Sequence, residues 1–399
     1  MVLGGGADLL RNEESSPRAT FLELFLDLVY VFALTRVSQR LVQDFSELDG
    51  EVFGQALRAV LLLLTLWLLW AMTTLMTSRF DPERAMVQVI VVATMFGSMV
   101  MAVAVPRAFE QHGLMFALAY VLSQIGRPLV LGLTLRGDPR QRISVRLVFW
   151  GLCTAPLWIG GALATGDLRL LFWGLAIGAD YLGHLLRWPT PRLGRAASLE
   201  WRFAGEHVAE RYQQFFLIAL GESILVTGFA FSGNEFTIAR SAAFVIAFAT
   251  TVLLWRLYFF QAGFALAEAF NSARDPTRFT WSATYTHLVI VAGVVTTAVG
   301  YELVVTRPLG HTDAAWVGVI VGGPVLFMAG RARFGYEVYA RLLWSRLIGI
   351  VLLVVVAPAL VFVPPLAAAG IVSAILLGII VHDVARIRGR EPAPASSPL

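Results

Sequence analysis

The sequence predicts an all-α polytopic membrane bundle of about twelve transmembrane helices, and composition, apolar runs and arginine placement all indicate it. Hydrophobic residues make up 57% of the 399 residues and charged residues only 15%, with a mean hydropathy of +0.71. Soluble domains carry about 25% charged residues. Apolar runs of about 20 residues, such as 57–76 and 87–105, are long enough to cross a hydrocarbon core of about 30 Å as a helix.

Twelve spans are predicted, separated by short loops rich in Pro, Gly and Asp-Pro turn signals. Backbone polar groups in lipid must be bonded within the segment, so each span is expected to be a helix. The alternating polarity of a membrane β-barrel is absent. The predicted spans are 20–42, 54–76, 84–105, 112–135, 145–164, 168–187, 208–231, 240–267, 282–304, 314–330, 342–362 and 365–385.

The arginines predict the orientation, since all 31 basic residues of the chain are arginine. With the N-terminus in the cytoplasm, 21 arginines fall in inner loops and tails. Only four fall in outer loops, namely Arg107, Arg169, Arg240 and Arg307. The positive-inside rule therefore favours two cytoplasmic termini, and an odd number of spans would destroy the asymmetry.

Two six-helix halves can be aligned, which predicts an internal parallel repeat. Asp-Pro-x-Arg recurs at 81–84 and 275–278, and "IGRPLVL" at 125–131 pairs with "VGGPVLF" at 321–327. Transporters often place substrate sites between such repeats, although duplicated helices also occur in proteins that only pack. The expected organisation is a cytosolic tail (1–19), a first repeat (20–187), a cytosolic linker (188–207), a second repeat (208–385) and a disordered cytosolic tail (386–399).

Several chemistries are excluded by what the sequence lacks. A single cysteine, Cys153, allows no intrachain disulfide and no cysteine-based metal centre, and the absence of lysine excludes a Schiff base. There is no Walker loop, dinucleotide motif, HExxH or Gly-x-Ser-x-Gly, so no cofactor, metal or catalytic residue is predicted. The basic pI reflects arginine use and membrane topology, so no nucleic-acid partner is expected.

The first span carries two carboxylates in "FLELFLDLVYVFALTRV". Thr20-x-x-Glu23 has the pattern of a capping box, in which the carboxylate closes the helix start. Asp27 lies about seven residues into the helix, roughly 10 Å from its start, and its side chain is too short to reach the surface. Glu23, Asp27, Tyr30 and Ser38 share one helical face, which predicts a polar stripe toward the bundle interior.

Span seven occupies the corresponding place in the second half, where Glu23 aligns with Glu210 and Asp27 with Gln214. Arg211 and Glu222 share a face with Gln214. A carboxylate is most costly near the middle of a span, at about 2.5–3.5 kcal/mol, so Glu222 is the strongest functional candidate. Gly221 is expected to allow close approach of another backbone.

Other ionisable residues within spans are Asp180, His184, Arg127 and Arg256. Asp180 and His184 are four apart and share a helical face, which fits a hydrogen-bonded pair, a proton relay or, less well, two metal ligands. Arg127 precedes a helix-kinking proline. The two arginines are the expected cationic partners of the buried acids. Trp158 and Trp188 are expected in interfacial belts and His207 at the membrane edge.

The segments "LELFLDLVYVFALTRVSQRL" and "ERYQQFFLIALGESILVTG" resemble the two signature segments of the bacterial low-temperature-requirement A family, and the resemblance covers roughly 15–390. It implies a multi-pass protein of the bacterial inner membrane without an assigned biochemical activity. The matching positions are Glu23, Phe25, Asp27, Glu210, Arg211, Gly221, Glu222 and Ser223.

A second likeness keeps a channel among the alternatives. "FLDLVYVFALT" at 25–35 is similar to the Phe-Ser-Asp segment that opens each repeat of lysosomal-type potassium channels. Here Leu26 replaces the serine, and the second half has Tyr212 and Gln214 instead of Phe and Asp. The likeness is therefore one of fold.

The favoured hypothesis is a secondary transporter or permeation protein in the lipid bilayer, acting on an unidentified small solute or ion. Its central polar cavity is predicted to be lined by Glu23, Asp27, Arg127, Asp180, His184, Glu210, Arg211, Glu222, Ser223 and Arg256. Unpaired buried acids could carry protons. The alternatives are a cation channel and a non-catalytic membrane sensor or lipid-binding protein of cold adaptation. Neither the substrate nor the oligomeric state follows from the sequence.

Overall fold

Helices account for nearly all of the regular structure in a computed structural model, which describes residues 9–11, 18–47, 52–197, 204–260 and 265–387. These residues form no β-strand, and only two isolated bridges occur, Leu10 to Phe80 and Thr190 to Gly194. The helices are α1 (Phe21–Glu47), α2 (Val52–Thr77), α3 (Ala85–Ala104), α4 (Gly113–Thr134), α5 (Gln141–Leu163), α6 (Gly166–Leu185), α7 (Gly205–Ser232), α8 (Ile238–Tyr258), α9 (Leu266–Ser272), α10 (Pro276–Thr306), α11 (Ala314–Tyr339), α12 (Trp344–Leu360) and α13 (Pro365–Ile387). The predicted all-α class is confirmed.

Within the described part of the chain, nine helices are long and apolar enough to cross a membrane. They are α2, α3, α4, α5, α7, α8, α10, α11 and α13. Helices α1 and α6 carry charged residues in their interiors, such as Asp27 and Asp180, and α12 is apolar but has 17 residues. A multi-pass membrane protein is therefore confirmed, while the total of twelve spans and the internal repeat stay predictions.

The chain divides into two compact units. The first contains residues 1–37 and 53–208, and the second contains residues 38–52 and 209–399. The predicted domain boundaries stay predictions. Most of the expected tails, 1–19 and 386–399, and residues 198–203 of the expected linker lie outside the described residues.

Two predicted span ends lie far from the ends of the corresponding helices. The eighth span was expected to reach residue 267, but α8 ends at Tyr258 and a separate short helix, α9, begins at Leu266. The tenth was expected to end at residue 330 because arginines follow, but α11 continues to Tyr339. Arg331 is fully buried there, donates to the Leu257 carbonyl at 3.0 Å and lies over the ring of Phe334. A charge bonded in this way does not end a helix.

One buried arginine bonds a helix end and a loop of the first unit to each other. Arg169, near the start of α6, donates to five backbone carbonyls and is itself buried. Three belong to the last turn of α5 and the residue that follows it, and two belong to the loop between α3 and α4. Because the last carbonyls of a helix have no partner within the helix, one guanidinium satisfies groups that would otherwise need water.

Helices α10 and α11 approach each other closely in the second unit. A Cβ placed on Gly323 of α11 would lie within 3.0 Å of backbone atoms of Thr297, and one placed on Gly293 of α10 would meet the backbone of Phe327. Small residues allow this approach, which strengthens van der Waals packing in an apolar solvent that gives helices no hydrophobic drive to associate.

The close approach of α10 and α11 predicts that substitutions at two neighbouring glycines of α11 have different effects on stability. Gly323→Val is expected to destabilise the protein by about 1–3 kcal/mol, because the new side chain meets backbone that cannot rotate away. Gly322→Val is the matched control, since a Cβ there meets nothing within 4 Å. Thermal unfolding of the two purified variants in detergent should show a lower Tm for Gly323→Val alone. Equal Tm values would contradict the close packing.

Candidate functional site

The start of α1 has the predicted capping box. The backbone N–H of Thr20 donates to Oε2 of Glu23 at 2.9 Å, and the N–H of Glu23 points to the Thr20 hydroxyl at 3.4 Å. The Glu23 carboxylate is nevertheless fully buried and has a second partner, since Nε2 of His207 lies 3.1 Å from its Oε1. Glu23 therefore caps the helix and also forms a buried pair.

His207 was expected at the membrane edge, and that place stays a prediction, but the side chain is fully buried and does not reach outward to water. Its Nδ1 lies 2.9 Å from the hydroxyl oxygen of Ser78, whose own proton is donated to the Thr74 carbonyl. Both ring nitrogens can therefore donate, which fits an imidazolium paired with Glu23. Serine, histidine and glutamate also form nucleophile triads, but a buried Ser78 that donates to its own helix is a structural link. No sequence spacing indicates a pair 184 residues apart.

Asp27 is fully buried, as predicted, in the first unit. The indole N–H of Trp70 donates to its Oδ1 at 2.9 Å. Tyr30, one turn further along the same face, shares a hydrogen bond of 2.9 Å with Ser98. Glu23, Asp27 and Tyr30 of the predicted polar stripe thus face inward in the first unit, where Asp27 is bonded to α2 and Tyr30 to α3, while Ser38 belongs to the second unit.

Arg127 lies in α4, before Pro128, and is buried. It donates to the Thr73 hydroxyl at 2.8 Å, the Leu69 carbonyl at 3.3 Å and Oε1 of Gln124 at 3.0 Å. All three acceptors are neutral. The expectation that Arg127 and Arg256 form ion pairs with the buried acids was wrong. Among the residues the structure describes, no carboxylate oxygen lies within 4.0 Å of either guanidinium.

Asp180 in α6 is held by two aromatic donors. The hydroxyl of Tyr120 donates to its Oδ2 at 2.9 Å and the indole N–H of Trp158 at 3.2 Å. Trp158 is fully buried, so its predicted place in an interfacial belt was wrong. Asp180 is therefore bonded by neutral donors, and among the described residues no cation lies within 4.0 Å of it.

A small polar cleft brings three of the predicted site residues together. Its cavity volume is small, about 20 Å³, which is room for about one water molecule. It is lined by Gln124, Arg127, Leu147, Trp150, Gly151, Asp180, His184 and Trp188. Asp180 and His184 come from α6 and Arg127 comes from α4. The His184 ring also packs against Trp188, with centroids 4.5 Å apart. We call this group the α4–α6 cleft. No cluster of three metal-ligating side chains occurs anywhere in the described ranges.

Glu222 lies in α7 in the second unit and is fully buried. The Ser38 hydroxyl is its polar neighbour. Neither carboxylate oxygen completes a hydrogen bond to a described residue. The next residue, Ser223, is 3.3 Å from the Thr251 hydroxyl. Gly221 was expected at a close helix approach, which was wrong, since a Cβ there would meet nothing within 4 Å of the described residues.

The remaining predicted residues of the second unit have local partners. Oε1 of Glu210 accepts from Gln214 at 2.9 Å, and Oε1 of Gln214 lies 3.4 Å from Arg211, which is fully buried. The Arg256 guanidinium lies over the ring of Phe260, 4.5 Å from its centroid. These contacts place Arg256 in a cation–π interaction.

Sequence reasoning missed two ionic groups in the second unit. Arg346 of α12 and Asp383 of α13 form a buried ion pair. Glu337 of α11 is fully buried and accepts from Thr286 at 2.7 Å and from Arg333 at 3.0 Å. Both acids lie near predicted span ends or in predicted loops, where charges are usually hydrated. Only the spacing of Arg333 and Glu337, four apart on one helix, gave a signal.

An all-helical bundle with many apolar spans and buried charges defines a polytopic integral membrane protein. The profile of the family described as bacterial low temperature requirement A protein (LtrA) matches residues 18–381. The chain belongs to the LtrA family. It is 35% identical over 384 residues to the uncharacterized protein RA0937 of Rhizobium meliloti (strain 1021), which covers 95% of this chain and 92% of that protein. No solved structure matches the chain.

The buried pair of Glu23 and His207 predicts a large loss of stability on truncation. His207→Ala is expected to destabilise the protein by about 3–5 kcal/mol, because it leaves the Glu23 carboxylate buried without its cation. His311→Ala, at an exposed loop position, is the control. Thermal unfolding in detergent should show a much lower Tm for His207→Ala only. A Tm equal to that of the control would contradict an ion pair at this position.

Proposed function

We propose that the protein is a secondary transporter of the bacterial inner membrane and that the α4–α6 cleft forms part of its solute path. The observation that carries this proposal is the meeting of Arg127, Asp180 and His184 around one small polar cavity inside an apolar bundle. Ionisable residues within membrane spans are costly and usually face a cavity or a partner.

The way these charges are bonded supports solute binding over packing. Arg346 is neutralised by Asp383, and Arg331 is bonded by a carbonyl and lines no cavity described here, whereas the charges of the cleft face a polar space. In the cleft, Arg127 is bonded by neutral acceptors and Asp180 by neutral donors. Both side chains keep their formal charge available to a solute that enters the cleft.

Glu222 is the proposed proton-coupling group. Its carboxyl is fully buried in α7, and among the described residues no cation lies within ion-pair distance of it. An uncompensated charge in such an environment is strongly disfavoured, so proton uptake and release there would follow changes in local hydration. Alternating hydration is what a carrier cycle supplies.

A panel of solutes tests the proposal in proteoliposomes on a solid-supported membrane. Organic acids, amino acids and alkali cations are applied with and without an inward proton gradient, and charge movement is recorded. At least one solute should give a proton-dependent current. Glu222→Gln should reduce that current to the level of protein-free liposomes, because the amide cannot exchange a proton.

Glu235→Gln is the matched control, since Glu235 is an exposed acid just after α7. It should leave the current unchanged. Currents that are the same in Glu222→Gln and in the unmodified protein would remove the basis for proton coupling. Steady single-channel conductance in planar bilayers would replace the carrier with a channel.

A further inference from the structure

A lipid-facing groove runs along the first unit between α3 and α4. It is an open groove with a volume of about 480 Å³. Its walls are almost wholly apolar, and the polar exceptions are Thr94, Ser123 and Arg127. The groove is distinct from the α4–α6 cleft, but Arg127 borders both. A buried cation at the side of an apolar groove calls for an explanation, because charges are rare at such positions.

Arg127 has unused capacity for an anion. Three of the five N–H donors of its guanidinium are taken up by Leu69, Thr73 and Gln124. The other two have no acceptor among the described residues, where no carboxylate lies within 4.0 Å. A carboxylate or phosphate oxygen is the acceptor that guanidinium donors bind most strongly.

Two glycines shape the groove. A Cβ on Gly97 would collide with the Ser123 side chain, so the absence of one lets α3 and α4 meet at this point. A Cβ on Gly126, next to Arg127, would meet nothing within 4 Å, so the groove is open beside the guanidinium. Apolar walls around a volume of about 480 Å³ fit a hydrocarbon chain, and the cation fits an acidic head.

We propose that the α3–α4 groove binds a single-chain anionic amphiphile, with the acyl chain of a fatty acid in the groove and its carboxylate on Arg127. This deepens the proposed function by naming a substrate class for the solute path, and it rests on that function for the step from binding to transport. Entry would be lateral, from the membrane into the α4–α6 cleft.

The depth of Arg127 favours a fatty acid over a phospholipid. Arg127 lies seven residues before Thr134, the last residue of α4, or about 10 Å from that end at about 1.5 Å per residue. A two-chain phospholipid would have to draw a large hydrated head group below the surface. A carboxylate is smaller, and Asp180, the acid nearest to Arg127 in the cleft, does not line the groove and so does not oppose it there.

Binding is measured on the full chain in nanodiscs of neutral phosphatidylcholine, with fluorescent cis-parinarate as the probe. Oleate and its uncharged analogue oleyl alcohol displace the probe. Oleate is expected to bind about tenfold more tightly, because a charge-assisted hydrogen bond is absent from the alcohol. Arg127→Gln should remove this difference and Arg127→Lys should keep part of it. Equal affinities in the unmodified protein would overturn the proposal.

Gly126→Leu tests the groove without touching a charge. It should weaken both oleate and oleyl alcohol by filling the space beside Arg127. Gly174→Leu in α6 is the matched control, since Gly174 is exposed and has equally open surroundings. If the Gly126→Leu and control variants bind both ligands with the same affinity, the acyl chain does not lie in the groove. Displacement of the probe by phosphatidylglycerol as strong as by oleate would assign the groove to phospholipid and overturn the single-chain proposal.

These results separate the two proposals because binding is read without any gradient. Oleate binding that depends on Arg127 and Gly126, together with a failure of all transport assays, would sustain the groove and remove the transporter. Proton-coupled currents for a water-soluble solute, with no oleate binding, would sustain the transporter and remove the amphiphile as its substrate.

Discussion

Desolvation of charge is the constraint on which this structure depends. Lipid offers no hydrogen bonds, so each ionic side chain on a membrane-crossing helix must find its partners within the protein. In this protein, ionic side chains are bonded in three ways: by an opposite charge, by neutral side-chain donors or by backbone carbonyls. Glu23 and His207 use the first, Asp27 the second, and Arg331 the third. Structural charges are bonded in all three ways, so a role in ligand binding is inferred only where a charged residue also lines a cavity, as Arg127 and Asp180 do.

The helices were predictable because hydropathy responds to a property that each segment carries by itself. The capping box at Glu23 and the burial of Asp27 and Glu222 followed for the same reason, since each depends on position within one helix. The interaction partners of these residues could not be predicted from the sequence. The link from Glu23 to His207, or from Asp180 to Tyr120, joins segments far apart in the chain, and a single sequence holds no record of which helices meet. Trp158 shows the difficulty, because a tryptophan near a span end fits a belt and a buried donor equally well.

The helix ends also show where local rules fail. Arginine after an apolar run normally indicates the membrane surface, yet Arg331 continues α11 because carbonyl and aromatic groups surround it. The Asp-Pro-x-Arg motifs form hydrogen bonds between residues close in sequence. Asp275 accepts from the first N–H groups of α10, and Asp81 accepts from the N–H of Glu83. These turns were recognisable because their hydrogen bonds close within three residues.

Arg127 lines both the α3–α4 groove and the α4–α6 cleft. Binding in one of these sites is therefore expected to change the affinity of the other. If an anion bound in the groove changes the affinity of the cleft for its ligand, that ligand must change the affinity of the groove for the anion by the same factor, because linkage is reciprocal. The sign follows from Coulomb's law: a negative head on the guanidinium weakens an acidic guest in the cleft and strengthens a basic one. Free fatty acid in the bilayer would then act as an effector of the protein as well as its cargo.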